Sequence, residues 1–344
     1  MNQIVSQNTL STITRPARLG FLGVGWIGRH RMEAILSSGI AEAAAIADAS
    51  SETVQEAAKL APSANVVSSL DELLQQDLDG IVIATPSAQH AEQSIKALES
   101  GVAVFCQKPL GRTAQEVDAV IAAAKKADRL LGVDLSYRHT KGMQQIRELI
   151  RAGELGKVFA ADVTFHNAYG PDKPWFYDKS LSGGGCVMDL GIHLIDLALW
   201  ALDFPEVTSV SSNVIAGGAP LGSSDKVEDY GVATLTLAGG TVIRIACSWR
   251  LQAGCDAIIE ASFFGTDGGA AMRNVNGSFY DFTAERFRGT SRESLIEPPD
   301  DWGGRAAVAW ARQLAEGGRY DPKCERLADT ARAMDQVYGN AARS

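Results

Sequence analysis

The sequence predicts an α/β protein: an N-terminal doubly wound parallel sheet, then an α+β domain built on a mostly antiparallel sheet. Three observations carry that reading. From residue 18 to about 137, short β-rich runs alternate with helical stretches, the rhythm of a parallel sheet with helices on both faces. After residue 138 the apolar period falls to two and a hairpin signal appears. The chain has 344 residues, more than one core supports, so two domains are expected, 17–137 and 138–344.

Arg18–Val24 is apolar and reads as the first strand, Trp26–Ser37 as helix, Glu42–Asp48 as the second strand and Glu52–Leu60 as helix. Ser69-Leu70-Asp71-Glu72 is a capping-box pattern that opens a short helix. Ile81–Thr85 is a continuous apolar run stopped by Pro86, as a strand buried on both faces requires. The helix His90–Ser100 ends at Gly101, a C-cap residue. Val102–Cys106 is the next strand. A second capping box, Thr113-Ala114-Gln115-Glu116, opens a helix to about Asp128, and Leu130–Ser136 is the sixth strand.

In the second half, Lys141–Ala152 reads as a helix ending at Gly153. Phe159, Ala161, Val163 and Phe165 then alternate with Ala160, Asp162, Thr164 and His166, the pattern of a strand with one buried face. Val232–Leu237 and Thr241–Ser248 flank Gly239-Gly240, a two-residue hairpin signal. Asp256–Phe264 is a further strand, turning at Gly265-Thr266-Asp267-Gly268. The last helix, about Arg326–Ala342, is expected to pack on either domain.

Composition narrows the function classes. Hydrophobic residues make up 46 % and charged residues 21 %, an ordinary globular balance. A net charge of -9 repels phosphate backbones and anionic lipid, and no basic run offsets it; Lys125-Lys126 reads as a solvated helix face. The five cysteines include no C-x-x-C pair, which argues against a disulfide framework or structural zinc. The first 16 residues lack the apolar core of a signal peptide, and no apolar run of about 18 residues is apparent. The expected location is the cytoplasm.

Gly23-Val24-Gly25-Trp26-Ile27-Gly28 is G-x-G-x-x-G between a strand and a helix. Gly23 permits the tight turn, Gly25 lets the backbone approach a pyrophosphate, and Gly28 lets helix and strand pack closely. The helix N-terminus adds unpaired N–H groups for the phosphates. Glycine turns without a ligand are common, but this context favours dinucleotide binding by a Rossmann domain. Asp48 ends the second strand, where an acid bonds a ribose 2′-hydroxyl and repels a 2′-phosphate; no Arg follows at 49–51, so NAD is expected over NADP. The alternative is that Asp48 only caps the next helix, a task Ser50 or Ser51 can perform.

Gln107-Lys108-Pro109 closes the fifth strand, at the edge where doubly wound sheets bind ligands. Partial burial and a neighbouring NAD cation both lower a lysine pKa, which suits a group that bonds a reacting hydroxyl. Taken alone, the tripeptide reads equally well as an exposed strand end. Ser182-Gly183-Gly184-Gly185 precedes Cys186–Leu202, which reads as one helix with Asp189, His193 and Asp196 on a single stripe. Imidazole suits proton transfer at neutral pH. The other readings of the stripe are a satisfied buried network, a water-facing edge, or a metal site for which no H-x-x-x-H or cysteine pair speaks. Tyr169, Trp175, Phe176, Tyr177 and Trp249-Arg250 would suit a sugar or cyclitol ring, although each aromatic alone also suits ordinary packing.

In this order, Gly23–Gly28, Asp48, Gln107-Lys108-Pro109, and Gly183-Gly184-Gly185 leading to Asp189, Gly191, His193 and Asp196 resemble the glucose–fructose oxidoreductase / inositol dehydrogenase / MocA family. Thr85-Pro86, His90 and Gly265–Gly268 also match, and the likeness covers residues 17 to 342. The resemblance implies an open, largely antiparallel second sheet used for homodimer or homotetramer contacts. It implies catalysis by Lys108, Asp189 and His193. Candidate cofactor contacts are Gly23, Gly25, Trp26, Ile27, Gly28, Asp48, Ser50, Thr85, Pro86, His90, Gln107 and Lys108. Candidate substrate contacts are Arg138, Trp175 and Tyr177, and no metal is expected.

The implied reaction is hydride transfer between nicotinamide and a ring hydroxyl or ketone of a sugar, cyclitol or related polyol. His193 would take the hydroxyl proton, Lys108 would hold the oxygen and Asp189 would orient the pair, with Lys108 and His193 exchangeable. Two alternatives stay open: a redox-neutral enzyme that retains NAD and cleaves glycosides, and a non-catalytic dinucleotide sensor. One position departs from the family, which usually carries Glu before the lysine; Gln107 keeps hydrogen bonding and loses the charge.

Overall fold

The computed structural model describes residues 15–222 and 226–341. The signal-peptide reading therefore falls almost wholly outside the described residues, as does the last residue of the helix expected to reach Ala342.

The first part contains β1 (Ala17–Leu22), α1 (Trp26–Ser37), β2 (Ala41–Ala47), α2 (Ser51–Ala58), β3 (Asn65–Val66), α3 (Leu70–Leu74), β4 (Gly80–Ile83), α4 (Ser87–Glu99), β5 (Ala103–Cys106), α5 (Ala114–Ala127) and β6 (Leu131–Val133). The strands form one parallel sheet in the order β3-β2-β1-β4-β5-β6. The order reverses between β1 and β4, which opens a crevice beyond their carboxyl ends. All four residues of β4 and of β5 are buried, as the apolar runs required. Both N-caps form, with Ser69 Oγ accepting from Glu72 N and Thr113 Oγ1 from Glu116 N, while the two glutamates reach one residue further back than a capping box, to Ser68 N and Arg112 N. The sixth strand is shorter than expected, because Ser136–His139 coils into a 3₁₀ turn. The two-residue β3 carried no sequence signal.

The second part contains α6 (Lys141–Arg151), β7 (Val158–Asn167), α7 (Lys179–Ser182), α8 (Ile192–Ala201), β8 (Val207–Ala216), β9 (Ala219–Pro220), β10 (Tyr230–Leu237), β11 (Val242–Ser248), β12 (Ala257–Gly265), β13 (Gly269–Asn274), β14 (Phe282–Arg288), β15 (Ser291–Ile296), α9 (Arg305–Ala315) and α10 (Leu327–Ala341). Its nine-stranded sheet runs β15-β14-β13-β12-β7-β11-β10-β8-β9. Neighbours are antiparallel except β7 and β11, which are parallel. The structure thus has the two sheets that the change of period predicted.

Three local expectations need correction. Phe159 does not share the buried face of β7: it is 51 % exposed, while Val158, Ala161, Val163 and Phe165 are buried. Opposite it the register shifts, with Phe264 paired to Ala160 and Gly265 to Val158, so Phe159 is the extra residue of a bulge and the alternation changes phase there. The hairpin between β10 and β11 has a three-residue loop, because Leu237 N donates to Thr241 O across Ala238–Gly240. The helix read over 186–202 is not uniform: Val187–Gly191 forms a π-helical turn that leads into α8.

The stretch Lys179–Ala201 also meets the length and apolar composition of a membrane-crossing helix, which the sequence reading did not register; 89 % of its most apolar window is buried inside the protein, the position of a core helix. Its apolar residues join the core between the nine-stranded sheet and α10.

Two C-terminal helices tie the parts together. The buried Trp310 of α9 lies against the parallel sheet, over Gly80 of β4 and Gly132 of β6; a Cβ at either glycine would fall 2.7 Å from the indole. In α10, Val337 O accepts Ser212 Oγ of β8 at 2.6 Å, while Asp335 Oδ2 accepts Ala114 N at the start of α5 at 3.0 Å.

Candidate active site

A cleft of about 1150 Å³ opens beyond the carboxyl ends of the parallel strands, lined by residues from both parts of the chain. Gly23, Gly25, Trp26 and Ile27 form one wall. Gly23 adopts φ +80, and a Cβ there would fall 2.6 Å from the Ala84 backbone. A Cβ at Gly28 would fall 2.0 Å from Gly23 O, so this glycine serves close packing and does not line the cleft. Gly25 has nothing within 4 Å of its Cβ position, and no side chain caps α1. The open space beside uncapped helix amides fits a pyrophosphate.

Asp48 lines the same cleft just beyond β2. Its Oδ2 accepts Val24 N at 2.7 Å and its Oδ1 accepts Ser50 N at 2.9 Å, while Ser50 Oγ caps α2 by accepting Thr53 N. Asp48 therefore joins the end of β2 to the glycine loop, and Ser50 does the capping. Each carboxylate oxygen keeps a lone pair for a ribose hydroxyl.

Lys108 projects from the end of β5 and meets the π-helical turn before α8. Its Nζ donates to Asp189 Oδ1 at 2.5 Å and to Asp189 O at 2.8 Å. The other carboxylate oxygen, Oδ2, accepts Trp249 Nε1 at 3.1 Å. His193 lines the cleft one turn on, with Tyr137 packed edge-on against its ring at 5.1 Å between centroids. Burial first, then the charges of Lys108 and Arg31, pushes the His193 imidazole well below its ordinary value. The site thus joins a fixed ammonium, a carboxylate already engaged on both oxygens, and a neutral imidazole.

The glycine run explains how that turn is held. A Cβ at Gly185 would fall 1.9 Å from Glu228 O. The buried Glu228 Oε1 accepts Gly185 N, Val187 N and Tyr338 Oη at 2.8–2.9 Å. It satisfies helix-start amides just before Asp189. Burial raises its pKa. Sequence reading missed Glu228, because nothing local marks a strand-edge acid as the cap of a distant helix.

Thr85, Pro86, His90 and Gln107 line the cleft as well. The His90 ring is already engaged on both nitrogens: Nδ1 contacts Pro109 O and Nε2 contacts Thr85 O, each at 2.7 Å. It joins the end of β4 to the Lys108 loop. Gln107 Nε2 donates to Asp134 Oδ2, which also accepts Arg31 Nε at 2.6 Å. Arg31 and Asp134 line the cleft too, and the sequence reading named neither.

The substrate candidates divide. Trp175 lines the cleft, stacked on Phe176 at 3.8 Å between centroids. Tyr177 lies behind it, packed on Trp249, donating to Pro171 O and accepting from Arg250 Nη2. Arg138 is outside the cleft lining, in a two-pronged pair with Asp196. Asp196 is 2 % exposed and also accepts Thr330 Oγ1. The expected stripe therefore splits: Asp189 and His193 face the cleft, whereas Asp196 is buried in an ion pair. His193 and Asp196 both lie in α8, three residues and about 60° apart around its axis, so one faces the cleft while the other turns to Arg138. Among the described residues, no three His, Cys, Asp or Glu side chains converge as a metal site.

Residues 17–135 match a model described as an oxidoreductase family with an NAD-binding Rossmann fold, and residues 143–271 match the GFO/IDH/MocA C-terminal domain. D-glucoside 3-dehydrogenase of Escherichia coli is 29 % identical over 211 residues, covering 58 % of this chain and 60 % of that protein. Inositol 2-dehydrogenase of Rhodococcus erythropolis is 25 % identical over 321 residues, covering 85 % and 90 %. The solved structure of a levoglucosan dehydrogenase with NADH and levoglucosan shares the fold at TM-score 0.83 and 21 % identity, covering 96 % of this chain and 98 % of that one.

Proposed function

We propose, because the chain belongs to the GFO/IDH/MocA family of NAD-binding oxidoreductases, that it is a NAD-dependent dehydrogenase acting between a ring hydroxyl and the matching ketone of a sugar, inositol or related polyol. The observation that carries this reading is the convergence of Lys108, Asp189 and His193 in the cleft that the glycine loop and Asp48 also line. When bound, the nicotinamide ring supplies the hydride acceptor. The neutral His193 imidazole takes the substrate hydroxyl proton on its free nitrogen. Lys108 donates to the same oxygen and stabilises its developing negative charge. Asp189 keeps the lysine aimed, and Trp249 keeps Asp189 from rotating.

Asp48 supports NAD over NADP: a carboxylate just beyond β2 repels a 2′-phosphate, and Glu52 and Glu56 line the same cleft. The polyol class rests on the relatives named above and on the paired rings of Trp175 and Phe176, which offer an apolar face to a sugar ring. We further propose a cytoplasmic homodimer or homotetramer, on the grounds of five free cysteines, which fit a reducing compartment, and of the broad open sheet.

A spectrophotometric screen of NAD and NADP against inositols, aldoses, sugar acids and glycosides tests the reading. NADH formed with one substrate class supports it. Tight NAD binding with sugar release and no net NADH favours the redox-neutral enzyme, and binding with no turnover favours a sensor.

A further inference from the structure

Arg31, Asp134 and Gln107 form a hydrogen-bonded cluster beside Lys108 that takes no part in the proposed proton transfer. Asp134 is 1 % exposed and Arg31 is 6 % exposed, so a full ion pair is buried beneath the cleft. One carboxylate oxygen, Asp134 Oδ2, takes both the Arg31 guanidinium and the Gln107 amide N–H. The other, Oδ1, is buried with no hydrogen-bond partner. Burying one charge without its partner is costly, so the cluster tolerates only one net composition, one carboxylate to one guanidinium.

An ionised carboxylate only accepts. The Gln107 side chain must therefore turn its nitrogen to Asp134 and keep its carbonyl oxygen for the cleft. Among the described residues, no protein donor reaches that oxygen.

We propose that Asp134, held by Arg31, is a positioning residue that fixes the Gln107 amide as an acceptor beside Lys108. The ligand group it takes is an N–H or O–H donor, and the carboxamide of the nicotinamide ring is the donor of that chemistry in the proposed reaction. The inference rests on that reading for the ligand, but not for the pairing itself. It also accounts for the departure at this position. A glutamate at 107 would face Asp134 across a site that holds one cation, so the negative charge resides on β6's side of the cluster instead.

The test is a double-mutant cycle on the full-length protein with Gln107→Glu, Asp134→Asn and the combined variant. NADH dissociation constants come from fluorescence titration, and melting temperatures are measured without ligand. Each single change leaves the cluster one charge out of balance and is expected to weaken NADH by about tenfold, the size of one charge-assisted hydrogen bond. The combined variant restores one carboxylate per guanidinium and is expected to bind within about twofold of the unsubstituted protein, a non-additivity that independent sites do not show. Melting temperatures should show the same rescue.

Additive losses in the melting temperature, with NADH binding intact in the unsubstituted protein, overturn the inference alone. If the unsubstituted protein binds no dinucleotide, the proposed function falls and the ligand half of the inference with it. A rescue of melting temperature without rescue of NADH affinity overturns the positioning role and leaves a purely structural cluster.

Discussion

Lys108 Nζ lies 2.5 Å from Asp189 Oδ1 and 2.8 Å from the carbonyl oxygen of the same residue. Two different atoms of one residue in the second part of the chain therefore hold the strand-end lysine of the first part. Both side chains are 17 % exposed, so water competes weakly for the pair. A lysine held by carboxylate and carbonyl keeps one N–H to offer, and a substrate oxygen is the acceptor that the cleft can bring to it.

Lys108→Ala should lower kcat by about 10²–10⁴ on the substrate identified by screening, the usual worth of a positioned acid–base group. NADH affinity should change far less. Turnover within about tenfold of the unsubstituted protein would remove Lys108 from the mechanism.

The acid limb of kcat/KM should lie below pH 6.5. His193 is held well below its ordinary value, so the folded protein keeps it neutral where an exposed histidine would charge. The unfolded chain binds the extra proton first, so stability is full above about pH 6.5 and falls as pH drops toward the folded value. A pH–rate profile with an acid limb at or above neutrality would contradict this, as would a melting temperature that rises on acidification through that window.

Asp48→Asn should shift the ratio of NADP to NAD use upward by about tenfold or more, since about 1.4 kcal/mol of lost repulsion suffices. Asparagine can still accept Val24 N–H, so the glycine loop should keep its shape. Side-by-side kinetics with both cofactors check the point. An unchanged ratio would assign Asp48 to holding the loop alone.

Trp310→Ala should destabilise the protein by about 3–5 kcal/mol, the range for removing a large buried aromatic. The indole is 4 % exposed and lies over Gly80 and Gly132, which have no side chains to fill the space it leaves. Denaturant melts read the loss directly.

The sequence was most legible where local chemistry decides structure. The span Trp26–Ser37, the N-caps at Ser69 and Thr113 and the buried runs of β4 and β5 follow from neighbours within a few residues. Lys108, Asp189 and His193 stood out as polar residues at the end of an apolar strand or within an apolar helix, and the structure brings them to one cleft. What escaped was set by distant partners. Glu228 caps a turn some forty residues upstream, Arg31 pairs with Asp134 from a different element, and Asp196 takes Arg138 out of the cleft. Phe159 obeyed the period of two until a bulge, fixed by its pairing with β12, changed the phase.

The placement of α9 bears on how the chain reaches this shape. Residues 17–133 hold all six strands of the parallel sheet, yet Ala306, Ala307, Trp310 and Ala311 complete the core on one of its faces. Met32 and Ile35 of α1 and Val54 and Ala57 of α2 pack in the same core, but the share that α9 covers stays open during synthesis until residue 315 has left the ribosome, about 180 residues after the last strand of the sheet. The nascent N-terminal half thus waits with that apolar patch open to solvent. A fragment cut at the apparent boundary near residue 137 should expose the same surface permanently and associate through it.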